Sequence, residues 1–150
     1  MFNLYYTLYN IFVMDCVFCG IVKKEVPAKI VAENEKALAF MDVNPASDGH
    51  TVVISKKHYR CFSETPVDVL QAMVELCHTV ANKIANSKLK PWGFNYLCNE
   101  GKIAQQVVMH VHMHVIPKYG KDEGWKGTRC KNIFVNDVQQ VYQTIMKAKD

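Results

Sequence analysis

Three histidines alternate along one stretch, His110-Val111-His112-Met113-His114, and Val115-Ile116-Pro117 follow. Side chains two apart on a strand share a face. The spacing therefore predicts three imidazoles on one side and Val111, Met113 and Val115 on the other. Core packing gains nothing from such a face. Near neutral pH an imidazole serves as nucleophile, proton donor or metal ligand. For the run taken alone, a histidine-rich polar sheet face and a three-histidine metal site are the alternatives. A second chemical pair lies near the start. Cys16-Val-Phe-Cys19 puts two thiols on one tight turn, which is half of a tetrahedral zinc site or else a pair of buried thiols.

These residues need a scaffold. A chain of 150 residues makes one domain with a real core. Its 49% hydrophobic and 21% charged residues are ordinary for a globular protein. Net charge is +4, and the basic residues are scattered apart from Lys23-Lys24 and Lys56-Lys57. That balance suits small anionic ligands and gives no dense nucleic-acid stripe. Cys61, Cys77, Cys98 and Cys130 stand singly in apolar contexts. They are expected to be reduced, which points to a reducing, cytoplasmic compartment. Residues 1–13 are aromatic and uncharged. They lack the charged leader and cleavage site of a signal peptide and are too short to span a bilayer. The expectation is an upstream start ahead of Met14, or an apolar extension packing on a domain of residues 14–150.

Periodicity predicts a short helix or turn over residues 16–24 and strands at 29–33, 37–42, 50–55, 93–98 and 107–116. Residues 44–49 hold several breakers and read as a loop. A long helix begins at Pro66, with Thr65 or Ser63 as its cap, and ends before Pro91. Leu70, Met73, Cys77, Val80, Ala81 and Ile84 form its apolar stripe, and His78 lies off it. Residues 135–149 read as a terminal helix, with Val138, Val141, Tyr142 and Ile145 suitably spaced. Successive strands around one long helix predict an α+β fold with a five-stranded antiparallel sheet and a C-terminal helix.

Residues 110–117 resemble the signature of the histidine triad (HIT) superfamily, in which three histidines alternate with apolar residues. Further motifs fall in the right order. Cys16-Val-Phe-Cys19 with Gly-Ile-Val resembles the N-terminus of the zinc-containing bacterial-type Hit-like/Hint branch. Phe40-Met41-Asp42-Val43-Asn44-Pro45 resembles its nucleoside-binding turn. Gly49-His50-Thr-Val-Val-Ile-Ser-Lys-Lys-His58 resembles its characteristic strand. Asn99-Glu100-Gly101 and Ala104-Gln105-Gln106 resemble its phosphate loop, and Tyr119-Gly120-Lys121 follows the triad as in many members.

The resemblance implies a nucleotide hydrolase or transferase acting at the α-phosphate, on purine nucleoside phosphoramidates or related nucleoside monophosphate conjugates. His112 would attack phosphorus and form a nucleotidyl-histidine, turning one hard displacement into two easier ones. A hydrogen bond to its other ring nitrogen must fix the tautomer, and a strand-end carbonyl near His110 would accept it. His114 would assist the leaving group, with His50 completing the polar cluster from the neighbouring strand. Asp42 would accept the ribose hydroxyls; a turn-capping aspartate is its bland counterpart. Phe18, Ile21, Phe40, Val43 and Val53 would line the base pocket, although without the resemblance all five read as core. Asn99 would orient the phosphate or ribose end, and the N–H groups of Gln105, Gln106 and Val107 would face the phosphate oxygens.

The resemblance also implies a structural zinc held by Cys16, Cys19, His58 and His110, with His50 as rival for the third ligand. A homodimer paired through the long helix and its neighbouring strand is expected, with no membrane or nucleic-acid partner. Lys118, Tyr119, Lys121, Trp125 and Lys126 would reach the leaving group or a partner's site, or else form a solvated loop. Two positions depart from the family. Gln105 stands where members usually carry glycine, which takes positive φ cheaply. Val107 stands where the Hint branch carries serine, so a hydroxyl donor is missing. Two other activities fit the same residues. A dinucleoside polyphosphate hydrolase usually has glutamine four positions before the first triad histidine, where Gln106 stands here. A nucleotide-binding regulator with little turnover is the non-enzymatic alternative.

Overall fold

The computed structural model describes residues 16–120 and 137–147. Five strands pair antiparallel: β1 (Ile30–Glu33), β2 (Ala37–Met41), β3 (Thr51–Ser55), β4 (Gly93–Leu97) and β5 (His112–Lys118). Their spatial order is β1-β2-β3-β5-β4. The helix α1 (Val17–Val22) precedes the sheet, α2 (Val67–Ala85) joins β3 to β4, and α3 (Val138–Met146) follows β5. The expected α+β architecture is present. The expectations for residues 1–13, Lys121, Trp125, Lys126 and Cys130 lie outside the described residues.

The central strands β2 and β3 are apolar on both faces because both faces are covered. One face packs Ala37, Ala39, Val53 and Val115 against α2. That helix buries Val69, Met73, Leu76, Cys77, Val80, Ala81 and Ile84, a stripe at helical spacing. Met73 is fully buried, a contribution of about 2 kcal/mol. The opposite face packs Leu38, Phe40, Val52 and Ile54 against Phe18 and Ile21 of α1. Two cores on two sides of one sheet leave the second side thinly covered, and the site forms there.

Several boundaries differ from expectation. The triad strand begins at His112 rather than at 107. The preceding segment is diverted: the His110 N–H bonds the Val108 carbonyl at 2.8 Å, and the Val111 N–H bonds the Tyr59 carbonyl at 2.7 Å. At its other end β5 runs through Pro117, past the last β3 rung at Val115 and opposite Phe94 of β4. Neither Thr65 nor Ser63 caps α2: the Thr65 hydroxyl bonds the Cys61 carbonyl, and Ser63 bonds Glu100. The terminal helix starts at Val138 because the Asp137 carboxylate accepts the N–H groups of Gln139 and Gln140. Gly49 turns the chain into β3 at φ +87°, where a Cβ would stand 3.1 Å from Pro117 Cγ and 3.3 Å from Leu89 Cδ1. This close turn sets the position of His50.

Candidate active site and metal-ligand cluster

Register decides which side chains meet. Ile54 pairs with His112 and Val52 with His114, while Val53 pairs with Met113 and Thr51 with Val115. Paired residues share a face, so His112 and His114 stand on the α1 side and Met113 and Val115 on the α2 side. The alternation expected of the triad is present.

Each ring nitrogen near the triad has an identifiable role. His112 Nδ1 lies 2.7 Å from the main-chain carbonyl oxygen of His110. A carbonyl only accepts, so Nδ1 carries the proton and Nε2 keeps its lone pair. This is the expected strand-end acceptor. The Ala46 N–H donates to His50 Nδ1 at 3.0 Å, which puts the His50 proton on Nε2. That N–H points at His114 Nδ1, 2.9 Å away. The proton of neutral His114 therefore sits on Nε2. One main-chain amide thus sets two tautomers in series. Burial pushes His114 down to about 4, with neighbouring His112 and His50 adding to it. Burial also lowers His50, against the pull of Asp42. Both rings stay neutral at pH 7, as this proton chain requires.

Asp42 Oδ1 accepts the Asn44 N–H at 2.8 Å, and Oδ2 stands 3.5 Å from His50 Nε2 and 4.0 Å from His114 Nδ1. The turn-capping role and the place beside the histidines hold together. Asp42, His50 and His114 also lie close enough to suggest a cation site. The Ala46 bond argues against it, because His50 Nε2 carries a proton and offers no lone pair.

The second cluster behaves differently. Cys16, Cys19, His58 and His110 bring their ligand atoms within 4.8 Å of one another. Sulfur to Nδ1 separations are 3.4 Å for Cys16–His110, 3.3 Å for Cys19–His58 and 3.6 Å for Cys19–His110. A tetrahedral ion with sulfur at about 2.3 Å and nitrogen at about 2.1 Å separates such ligands by roughly 3.6 Å. His110 Nε2 donates to the Ser55 carbonyl at 2.8 Å, leaving the Nδ1 lone pair aimed at the sulfurs. Burial holds His110 down at about 4, in its ligating form. Burial, then Cys16, pushes the Cys19 thiol up to about 11, so a thiolate forms there only against a cation. Donor set, tautomer and spacing all fit zinc. His50, the rival ligand, belongs to the other cluster.

A cavity of about 580 Å³ is bordered by His112, His114 and Asp42. Phe18, Ile21 and Phe40 line it as expected, with Asp42, His112 and His114 at one end. The Phe18 ring meets Phe40 at 5.6 Å and His112 at 5.3 Å, both edge to face. Val43 also borders it but is 86% exposed, at the mouth. Val53 does not line it. It faces α2, and its neighbour Val52 takes the expected place. Ala28 and Val108 also line the cavity; no signal in residue type marks them.

The expected phosphate loop is only partly available. The Gln105 N–H bonds the Lys102 carbonyl and the Gln106 N–H bonds the Gly101 carbonyl. Both are used inside the turn Lys102–Ala104 that precedes them. The Val107 N–H has no partner among the described residues, and Val107 borders the cavity. The Gln106 side chain does not border it. Asn99 follows β4, makes no hydrogen bond among the described residues and does not line the cavity. Gln105 borders the cavity with φ +68° and ψ +25°. That is the left-handed conformation a glycine would take without strain, at about 1–2 kcal/mol for other residues.

A model described as "HIT domain" matches residues 23–121, so the chain belongs to the HIT domain family. The Schizosaccharomyces pombe protein named adenosine 5′-monophosphoramidase hnt1 is 40% identical over 116 residues, covering 75% of this chain and 84% of its own. A crystal structure of a HIT family member from Bacillus subtilis superposes with a TM-score of 0.81 at 32% identity, covering 91% of this chain and 98% of its own. A Zn-bound histidine triad family protein from Mycobacterium smegmatis gives a TM-score of 0.70 at 38% identity, covering 73% and 78%. No helix among the described residues is long and apolar enough to cross a membrane.

Proposed function

We propose that this protein is a nucleotide hydrolase or transferase that acts at the α-phosphate through a nucleotidyl-histidine on His112. Its substrates are purine nucleoside phosphoramidates or related nucleoside monophosphate conjugates. The observation that carries the reading is the 2.7 Å bond from His112 Nδ1 to the His110 carbonyl, which leaves a nucleophilic Nε2 in the cavity. Nε2 attacks phosphorus and the bond to the leaving group breaks. His114 Nε2–H hydrogen-bonds the reacting group, and the amine departs neutral from a substrate protonated on its phosphoramidate nitrogen. Water then attacks the phosphorus as the bond to His112 Nε2 breaks, freeing the nucleoside monophosphate and a proton to solvent. Asp42 holds the ribose hydroxyls, and Phe18, Ile21, Phe40 and Val52 sandwich the base. The named activity of the fission-yeast relative supports this class.

Charge argues for a single phosphate. The cavity has no lysine or arginine among its described lining residues, so the multiple charges of a dinucleoside polyphosphate go unmatched there. Lys29 borders an adjoining cleft of about 590 Å³ that no histidine borders. The amide of Gln106, the residue on which the polyphosphate alternative turns, is bonded to main chain away from the cavity. We also read Cys16, Cys19, His58 and His110 as a zinc site, in keeping with the Zn-bound relative. The chain reads as a cytoplasmic homodimer, since the edge strand β4 and its approach expose Trp92 and Tyr96. Residues 14–150 form the domain, with 1–13 an extension.

The test compares turnover of adenosine 5′-phosphoramidate and diadenosine polyphosphates, wild type beside His112→Ala, with intact-mass detection. Wild type is expected to show a transient adenylyl adduct and to prefer the phosphoramidate. The variant is expected to lose the adduct and at least about a thousandfold in turnover. Residual activity within about tenfold would remove His112 as nucleophile. AMP binding with neither adduct nor product would mark a binding protein, and preference for the diadenosine compounds the polyphosphate hydrolase.

A further inference from the structure

Gln106 has a burial and a bonding pattern that the chemistry above leaves unused. Its side chain is 3% exposed and lies off the cavity. Its Oε1 accepts the Gly101 N–H at 2.9 Å. Its Nε2 donates to the Arg60 carbonyl at 2.6 Å and to the Val108 carbonyl at 3.1 Å. All three contacts are to main chain, so one amide ties together both ends of the 101–108 loop and the strap after β3. That strap carries His58, and its Tyr59 carbonyl accepts the Val111 N–H between His110 and His112. Between the tied ends, Gln105 sits in the left-handed region at φ +68°. A residue with a Cβ stays there only when its surroundings hold it. Val107 and Val108 border the cavity just beyond, and neither N–H has a partner among the described residues.

We propose that Gln106 is a positioning residue: its amide clamps the 101–108 loop in the strained turn at Gln105 and so sets the Val107 and Val108 N–H groups beside His112. The clamp acts on the oxygens of the reacting phosphate without touching the substrate. In this it rests on the proposed function. It also makes the strap that holds a metal ligand and the loop that faces the phosphate one mechanical unit.

The test is a double-mutant cycle with an amide readout. Gln106→Met keeps volume and apolar bulk but loses both donors and the acceptor. Its turnover of adenosine 5′-phosphoramidate is expected to fall on the order of a hundredfold, as when oxyanion donors are misplaced. The KM should change less than about threefold, since only the transition state is affected. In the Gln105→Gly background the cost of Gln106→Met should shrink at least about tenfold, because glycine takes the positive φ without a clamp. Hydrogen exchange at the Gly101, Gln105 and Gln106 amides, each bonded within the loop, should quicken in Gln106→Met relative to wild type. An additive cycle, unchanged exchange, or a loss of activity that tracks a loss of folded protein by circular dichroism would overturn the proposal. Should wild type fail to turn over the phosphoramidate, the proposed function falls, and the exchange rates alone decide the clamp.

Discussion

At the scale of the residue, the histidines act according to which ring nitrogen holds the proton. His114 is held neutral by burial, at about 4 against an ordinary 6.5. The unfolded chain binds that proton near 6.5, whereas the folded chain resists it until about 4. Between those values the unfolded state holds more protons, so stability falls as pH falls. One group contributes a slope of up to about 1.4 kcal/mol per pH unit in that window. Urea unfolding from pH 7 to pH 4.5 should show the decline, and His114→Gln should lessen it, with His110 supplying a like share. An unchanged slope in the variant would mean that His114 is not the group responsible. The proposed nucleophile stands out in the alternation of residues 110–114, and the candidate ligand pair in the spacing of Cys16 and Cys19. The role of Gln106 was not, because its partners are main-chain groups, one of them 46 positions away. Residue type alone does not announce such a partner.

At the scale of the element, the sheet register does most of the sorting. The stripe on α2 was readable because seven buried positions repeat with helical period. The face of Val53 was not, since Val52-Val53-Ile54 is apolar throughout and offers no alternation to phase it. Only the pairing of Val53 with Met113 fixes it. Val53→Ala should therefore cost on the order of 2 kcal/mol of stability, from transfer and cavity terms together, and leave AMP affinity unchanged. Val52→Ala borders an existing cavity, so it should cost less stability and weaken AMP binding several-fold. Urea denaturation beside an AMP titration separates the two, and equal effects on binding would undo the assignment of faces. The start of β5 was misplaced because Val107 and Val108 have strand-like side chains. Their neighbours' main-chain bonds bend them into the loop instead.

At the scale of the whole molecule, the metal-ligand cluster would join α1, the strap after β3 and the segment leading into β5. His110 takes part twice: its imidazole faces the thiols while its carbonyl orients His112. The purified protein is expected to carry one zinc per chain by elemental analysis. Chelation, or Cys19→Ser, should lower the melting temperature by roughly 10 °C, the effect of about 3 kcal/mol in a chain of this size. Adduct formation at His112 should fall with it. Zinc well below one per chain in protein never exposed to chelator would sink the site. The fold class was legible from element order, and the site from motifs. The division of labour between the sheet's two sides was visible only in three dimensions. It follows a parity of numbering. On β2, β3 and β5 the even positions (Leu38, Phe40, Val52, Ile54, His112, His114) stand on the side of the chemistry. The odd positions Ala37, Ala39, Val53, Met113 and Val115 stand against α2. At Phe40 and Val52, which border the cavity, drift can change what the chain binds while the odd positions keep α2 in place, so substrate range and helix docking evolve on interleaved tracks.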